Sequence, residues 1–344
     1  MIIRLFRESD KERWDKYVMS SNNAVCYHLT GWKDVIETSF GHKTYYLLAE
    51  DMHNEIKGIL PLVQLKSILF GNFMVSLPYF NYGGICADND DIDRQLLKKA
   101  ADIAAGEHAG HIEFRHTRQT GDGLPVKTAK VCMHLSLPDT PDELWKSFSS
   151  KLRSQIRKPS KEALYAKIGK MEELDGFYDV FAVNMRDLGT PVYSKEFFRN
   201  ILRVFPDSSW ICTVFAKDGQ PVASGFLLGF KERLEIPWAS SLRSFNHVSP
   251  NMLLYWHALK FACEMGYRSF DFGRSTPGEG TYRFKEQWGA KPVQLYWHYW
   301  LQSGGPAPEL NPKNPKYQVA IKIWQRLPVS LTRLIGPAIV RNLP

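Results

Sequence analysis

The feature that most constrains this chain is a pattern that occurs twice. Thr44–Val63 reads strand, polar turn, strand, and Trp210–Gly229 reads the same way. In the second copy, Lys217-Asp218-Gly219-Gln220 is a strong hairpin turn signal. Further on, Leu96–Arg115 carries a helical pattern, Gly110 and the strand His111-Ile-Glu-Phe-Arg. Leu253–Gly273 repeats this as helix, Gly266 and the strand Ser269-Phe-Asp-Phe-Gly. Both matches run at nearly one offset, so duplicated domains are expected; the competing explanation is chance recurrence of common hairpin and helix–strand units. Each half reads helices, antiparallel meander, helix, further strand. That order suits an α/β (α+β) fold built on a mixed, mostly antiparallel sheet flanked by helices. A length of 344 residues also suits about two domains.

The boundary is expected at Leu137-Pro138-Asp139-Thr140-Pro141, where Thr140 is placed to cap a helix with Glu143 at capping-box spacing. The domains are then 1–139 and 140–302, followed by a tail over 303–344. The tail opens with Ser303–Pro315, which holds four prolines and two glycines in thirteen residues. From Tyr317 a basic helix places Ala320, Ile323, Trp324 and Leu327 on one face, with Lys322 and Arg326 elsewhere. It is expected to close against the first domain; the alternative is a peripheral contact with an anionic membrane surface.

Composition narrows the function. Hydrophobic residues make up 44% and charged residues 23%, which excludes disorder and a disulfide scaffold. No apolar run is long enough for a transmembrane helix. The N-terminus lacks the apolar core and cleavage site of a signal peptide, and five scattered cysteines read as reduced thiols, so a cytoplasmic location is expected. The net charge of +8 is concentrated. Lys146–Lys170 holds eight basic residues against one acidic, and Ser303–Pro344 six against one. Two such segments suit phosphate-rich ligands, RNA or anionic lipid, or else are solvated helix faces. DNA is not an expected partner.

Several chemistries find no motif. There is no GxxxxGK[ST] loop, no HExxH and no zinc-spaced Cys/His cluster, so no metal is expected. His108 and His111 read as surface histidines. Gly278-Glu-Gly280-Thr-Tyr-Arg283 lacks the last glycine of a dinucleotide loop, and Ser224 in Val-Ala-Ser-Gly-Phe fails the nucleophile-elbow pattern.

The least ordinary stretch is Phe270–Trp300. A strand ends near Gly273, a turn-rich loop follows, and a short helix from about Tyr282 to Trp288 precedes the aromatic run Leu295–Trp300, which reads as a sheet face or a ligand platform. Three strings here carry a resemblance: Ser249-Pro-Asn-Met-Leu-Leu-Tyr-Trp, Gly266-Tyr-Arg-Ser-Phe-Asp-Phe-Gly-Arg-Ser-Thr and Gly280-Thr-Tyr-Arg-Phe-Lys-Glu-Gln-Trp-Gly. With Lys151–Lys158 and Pro78–Gly84, they resemble the FemAB-related branch of the GNAT-like acyltransferases. More narrowly, they resemble the FemAB-like proteins that accompany exosortase/PEP-CTERM exopolysaccharide systems. The resemblance covers roughly residues 1–300.

The resemblance implies two tandem GNAT-like (acyl-CoA N-acyltransferase) domains, the first on the acceptor side and the second on the donor side. Fem proteins transfer an aminoacyl group from aminoacyl-tRNA to an amine of a peptidoglycan precursor; wider relatives use acyl-CoA. The leading expectation is therefore an acyl- or aminoacyltransferase acting on a cell-envelope or exopolysaccharide precursor. The alternatives are a catalytically degenerate binding module in a membrane-associated polysaccharide assembly and an RNA-binding protein. No covalently bound cofactor is expected. The donor is left open between aminoacyl-tRNA and acyl-CoA, because Arg243–Asn251 lacks the glycine-rich pyrophosphate loop of acetyl-CoA users. The start of the helix there is still placed to hold a phosphate, with Asn251 in its first turn.

The resemblance places a functional lysine at Lys285, as a cation for the oxyanion or for donor phosphate. A surface lysine is the other reading, and either way a residue at least half exposed is expected to matter little for folding. Tyr282 shares its helical face. Asp271 is a candidate base or a residue of the strand's polar face. Arg274 is a phosphate or carboxylate ligand or a salt-bridge partner, and Arg283 is a further cation of the loop. Arg153 and Arg157, beside the apolar stripe Phe148, Leu152, Ile156, are expected phosphate contacts. Tyr79, Asn81 and Tyr82 carry over as acceptor-side lining. Asn184, Arg186 and Gly189-Thr-Pro191 are candidates without an assigned role.

Overall fold

Local turn chemistry sets the first hairpin of each half. Asp51 Oδ1 accepts from His53 N at 2.8 Å and Glu55 N at 3.0 Å, folding β2 (Leu47–Glu50) onto β3 (Ile56–Leu60). Asp218 Oδ1 accepts from Gln220 N at 3.1 Å, folding β11 (Ser209–Phe215) onto β12 (Pro221–Phe230). The computed structural model describes residues 1–308 and 315–343. Where the sequence suggests a boundary at 139/140, packing divides the chain at Val131/Cys132. One unit is Met1–Val131, joined by the segment that begins at Val293 and by the chain end from Arg341; the other is Cys132–Pro292 with the tail helices.

The first unit begins with β1 (Ile2–Leu5), α1 (Lys11–Ser20) and α2 (Gly31–Phe40). After β2 and β3 come β4 (Val63–Ser67), β5 (Gly71–Val75) and β6 (Cys86–Ala87). Next is α3 (Asp90–Gly106), capped by Asn89 on Asp91 N and Ile92 N, and then β7 (His111–His116) and β8 (Val126–Lys127). The strand β16 (Tyr296–Leu301) returns from the far end of the chain. The sheets run β1-β2-β3-β6 and β4-β5-β7-β16-β8. Their core gathers Leu47, Leu60, Met74, Ile92, Leu96, Ile112 and Phe114.

The second unit contains β9 (Val131–Ser136), α4 (Pro141–Ser147), α5 (Ser150–Lys161), β10 (Tyr165–Gly169), α6 (Leu174–Leu188) and α7 (Lys195–Val204). Thr140 caps α4 by accepting from Glu143 N at 3.3 Å. After β11 and β12 come β13 (Arg233–Ser241), α8 (Pro250–Glu264), β14 (Ser269–Ser275), α9 (Gly280–Glu286) and β15 (Lys291–Gln294). The sheet runs β10-β11-β12-β13-β14-β9-β15. Phe177, Phe198, Phe226 and Trp238 pack ring on ring over it.

The two halves do repeat. The orders β1-β2-β3 and β10-β11-β12 match, so the two hairpins hold the same place in their sheets. The parallel pair Met74↔Ile112, joined through α3, has its counterpart in Leu234↔Phe270, joined through α8. Each half is thus one mixed α/β unit. They differ in continuity: the long strand β12 corresponds to β3 and β4, broken at Pro61, and β13 corresponds to β5 and β6, separated by residues 76–85.

One expectation is corrected. The tail helices α10 (Pro315–Trp324) and α11 (Val329–Val340) pack on the second unit, not the first. Arg333 pairs with Asp179 of α6 at 2.8 Å, and Arg186 NH1 donates to Leu327 O at 3.2 Å. A Cβ at Gly336 would sit 2.9 Å from Val192 N, so only a glycine lets α11 come this close. Apolar periodicity gives a helix a face but not a partner. Residues 309–314 of the expected linker lie outside the described residues. All five cysteines are buried and none is in a disulfide.

Candidate active site

The site begins with a bulge. Phe226↔Trp238 and Leu228↔Glu235 are successive pairs between β12 and β13, so one residue of β12, Leu227, opposes two of β13, Ile236 and Pro237. A proline is tolerated there because a bulge needs no ladder N–H. The turn redirects β13, whose ladder with β14 stops at Glu235↔Asp271. β13 follows β12 to Ala223↔Ser241 while β14 continues to Ser275. Two parallel strands therefore part at their carboxyl ends, the position where open α/β sheets take ligands.

A chain of polar groups runs along the β14 side of this gap. His134 Nε2 on β9 lies 3.2 Å from Asp271 Oδ2. Asp271 Oδ1 accepts from Gly273 N at 2.7 Å. Lys285 Nζ, reaching back from α9, donates to Gly273 O and Arg274 O, both at 2.9 Å. Asp271 is 1% exposed and Lys285 7%. Lys285 is thus buried, which corrects the expectation of a half-exposed residue: α9 lies back on the sheet edge, and its polar end is satisfied by strand carbonyls. Burial pushes its pKa down to about 8, with Asp271 pulling the other way. Glu235, the register partner of Asp271, is also buried and shares its face. Cys132, two residues before His134, is held as a neutral thiol by burial, then by Asp271 and Glu235, so it is not a nucleophile. Ser275 Oγ, past the point where the strands part, is buried with no hydrogen-bond partner.

The other expected residues are dispersed over several elements. Arg274 and Arg283 are exposed and Tyr282 is half-buried, all in the segment that carries Lys285. Asn251 is half-buried in the first turn of α8, whose cap residue Ser249 (φ +56°) gives no side-chain hydrogen bond. Arg153 is half-buried and Arg157 exposed on α5, which packs against α8; the Arg157 guanidinium lies 5.2 Å from the Trp145 ring centroid. Tyr79, Asn81 and Tyr82 belong to the first unit, in the segment between β5 and β6. There the Tyr79 hydroxyl donates to Arg341 O at 2.7 Å, Asn81 O accepts from Trp297 Nε1 at 3.1 Å, and Tyr82 is buried against Tyr27. Asn184 Nδ2 donates to Ser240 Oγ at 3.0 Å, tying α6 to β13 past the bulge, and Arg186 serves the tail.

Sequence reading passed over His134, Glu235 and Cys132. The available signal was slight: a histidine inside the otherwise apolar strand Val131-Cys-Met-His-Leu-Ser. Its partner Asp271 is far away along the chain, and pairing across a sheet leaves no trace in spacing. From Tyr296 on, the aromatic run forms the strand β16, with His298 buried.

Residues 146–286, which contain the bulge, the gap and Lys285, match the model of an acetyltransferase (GNAT) domain family, Acetyltransf_6. No curated protein sequence matches the chain. Among solved structures, one of FemX is 16% identical with a TM-score of 0.65, the match covering 86% of this chain and 97% of that one. The C-terminal domain of a putative lysylphosphatidylglycerol synthetase from Agrobacterium fabrum is 12% identical with a TM-score of 0.57, covering 86% and 92%. A tandem GNAT protein from the clavulanic acid biosynthesis pathway is 10% identical with a TM-score of 0.54, covering 89% and 99%. At such identities the likeness is one of fold: two GNAT-like domains in tandem.

Proposed function

We propose that this chain is an acyltransferase that carries an acyl or aminoacyl group to an amine of a cell-envelope or polysaccharide precursor. The observation that carries the reading is the gap between β13 and β14 with a buried lysine anchored on its β14 side. The GNAT match over 146–286 and the FemX-like fold support it. The narrower placement beside exosortase systems rests on the sequence resemblance alone.

In this reading the acceptor nitrogen attacks the carbonyl carbon of an activated ester or thioester. A tetrahedral oxyanion forms, the nitrogen loses a proton, and the donor leaves as the tRNA hydroxyl or the CoA thiol. Lys285, its ammonium fixed by two carbonyls, supplies positive charge in a partly dry setting, where it acts more strongly than in water. Asp271, with Oδ1 held by Gly273 N and Oδ2 lying 3.2 Å from His134 Nε2, works as a positioning residue for His134, which takes the proton. Tyr282 lies on the face of Lys285. Arg153, Arg157, Arg274, Arg283 and the start of α8 at Asn251 serve donor phosphate.

The test begins with mass spectrometry of molecules retained on the purified protein. Each candidate donor, a pool of aminoacyl-tRNA or of acyl-CoA, is then incubated with amine-bearing envelope precursors. Mass gain on an amine, lost in Lys285→Ala, is expected. A retained polysaccharide precursor with no transfer from either donor would replace the enzyme by a binding module. Retained RNA without transfer would point to an RNA-binding protein.

A further inference from the structure

In the second unit the turn from β12 to β13 is Lys231-Glu232, both exposed, closed by the pair Phe230↔Arg233. Polar residues are what a solvent-facing hairpin turn ordinarily holds. The matching turn of the first unit, from β4 to β5, is Ile68-Leu69-Phe70, closed by Ser67↔Gly71. Ile68 is 108% exposed and Leu69 79%. The turn is nevertheless well built. Ser67 Oγ accepts from Phe70 N at 3.0 Å, and Asn72 Nδ2 donates to Glu107 O at 2.8 Å and His108 O at 2.9 Å. Below it Leu65 and Phe73 are buried, Phe73 stacked on His111 at 4.9 Å. The hairpin is therefore a firm stem with two aliphatic side chains projecting from its end. Lys66 is exposed one residue before Ser67, and the acidic group beside the stem, Glu107, lies 3.7 Å from Lys43.

We propose that this hairpin tip inserts into the surface of an anionic lipid bilayer and holds the first unit there. Two side chains on a projecting turn fall far short of the roughly 1,200 Å² that a stable protein interface buries. A bilayer needs no matching groove. It takes aliphatic ends into the acyl boundary and lysines at phosphate level, which is the arrangement of Ile68 and Leu69 above Lys66. The inference stands independently of the acyl-transfer reading and concerns a different element from the tail helix.

The test is co-sedimentation of the full chain with vesicles of phosphatidylcholine, alone and mixed with phosphatidylglycerol. A bimane label on Leu69→Cys reports the tip; the five native cysteines are buried. Binding to the mixed vesicles and a blue shift of the label are expected. A fully inserted aliphatic side chain changes partitioning by roughly tenfold or more, so Ile68→Asp with Leu69→Asp should weaken binding at least that much. Both positions are exposed turn residues, so this variant should keep its fold, and the label gives a reading that does not depend on it. Three results would overturn the proposal: no binding of the native chain to either vesicle, undiminished binding of the double variant, or a label that stays in water while Leu334→Asp on the tail helix releases the protein.

Discussion

Lys285 shows how a residue type is legible in a sequence while its setting is not. The motif around it marks a functional lysine, and the short helix suggests exposure; the structure buries it on two carbonyls of β14. Lys285→Ala should lower turnover by roughly 10²–10³, the usual loss for one donor of this kind. Lys285→Arg should rescue poorly, since a planar fork does not fit where a compact ammonium reaches two adjacent carbonyls. Lys285→Ala should cost stability as well, about 1–3 kcal/mol, because a charged hydrogen-bonded group is removed from a buried site; denaturant midpoints would show it, and an unchanged midpoint would argue against the burial. The pH dependence has a definite sign. With a folded pKa of about 8, below the ordinary lysine value, the unfolded chain binds more protons between pH 8 and 10.5. Lys285 therefore adds stability as pH rises through that window, and Lys285→Met should flatten the rise, whereas activity that needs the ammonium should fall above about pH 8.

At the scale of elements, the hairpins and the helix–strand repeats were legible because turn residues and apolar alternation are local signals. The segment between β5 and β6 was not. It is held by contacts from far along the chain: Arg115 donates to Phe80 O at 2.5 Å and lies 4.4 Å from the Trp297 ring centroid. His28 Nε2 lies 2.8 Å from Gly84 O, and since His28 Nδ1 accepts from Val25 N, Nε2 is assigned the proton and donates. His116 Nε2 accepts from Ile85 N at 3.0 Å, which assigns its proton to Nδ1, 3.0 Å from His298 Nδ1. Leu77 and Tyr79 adopt φ of +64° and +74°, strain that persists only where surroundings over-determine the backbone. A Cβ at Gly84 would strike the His116 ring, so Gly84→Ala should destabilise the first unit by about 1–3 kcal/mol, as overpacking does. Burial, then His298 and His28, lower the His116 pKa to about 3. A histidine kept neutral in the fold but free to protonate when unfolded contributes stability above about pH 6.5 that is lost as pH falls toward 3, by up to about 1.4 kcal/mol per unit. Acid titration of unfolding should therefore be shallower in His116→Gln than in the native chain. The turn before α8 makes a separate prediction. Arg243–Ser249 contains no glycine to let a pyrophosphate approach its backbone, so calorimetry with acetyl-CoA should show no low-micromolar binding.

For the molecule as a whole, the division of the chain was the least legible feature, because a strand's sheet partner is set by long-range packing and not by its neighbours in sequence. The linker signal at 137–141 is real as a turn and a helix cap, yet β16 lies between β7 and β8 of the first unit. It pairs from Tyr296↔His116 to Leu301↔His111, places Tyr299 OH 2.7 Å from the buried Glu113, and sets Trp297 under Arg115. A fragment ending at residue 139 lacks all of this. β7 becomes a sheet edge, β8 loses its strand partner, and two buried charges, Glu113 and Arg115, lose their outer partners. Such a fragment should not fold cooperatively. The remedy follows from the same geometry: Leu295 N donates to Lys130 O at 3.2 Å, so the chain leaves and re-enters the first unit at neighbouring points. Joining Val131 to Val293 through a short glycine–serine linker, and ending at Pro308, should restore a folded first unit. Dispersed amide resonances and a single sharp unfolding transition are expected for the relinked chain, against a collapsed spectrum for the fragment 1–139. A fragment 1–139 that unfolds cooperatively by itself would show that β16 is an accessory strand, and the unit would then be the contiguous one that the sequence suggests.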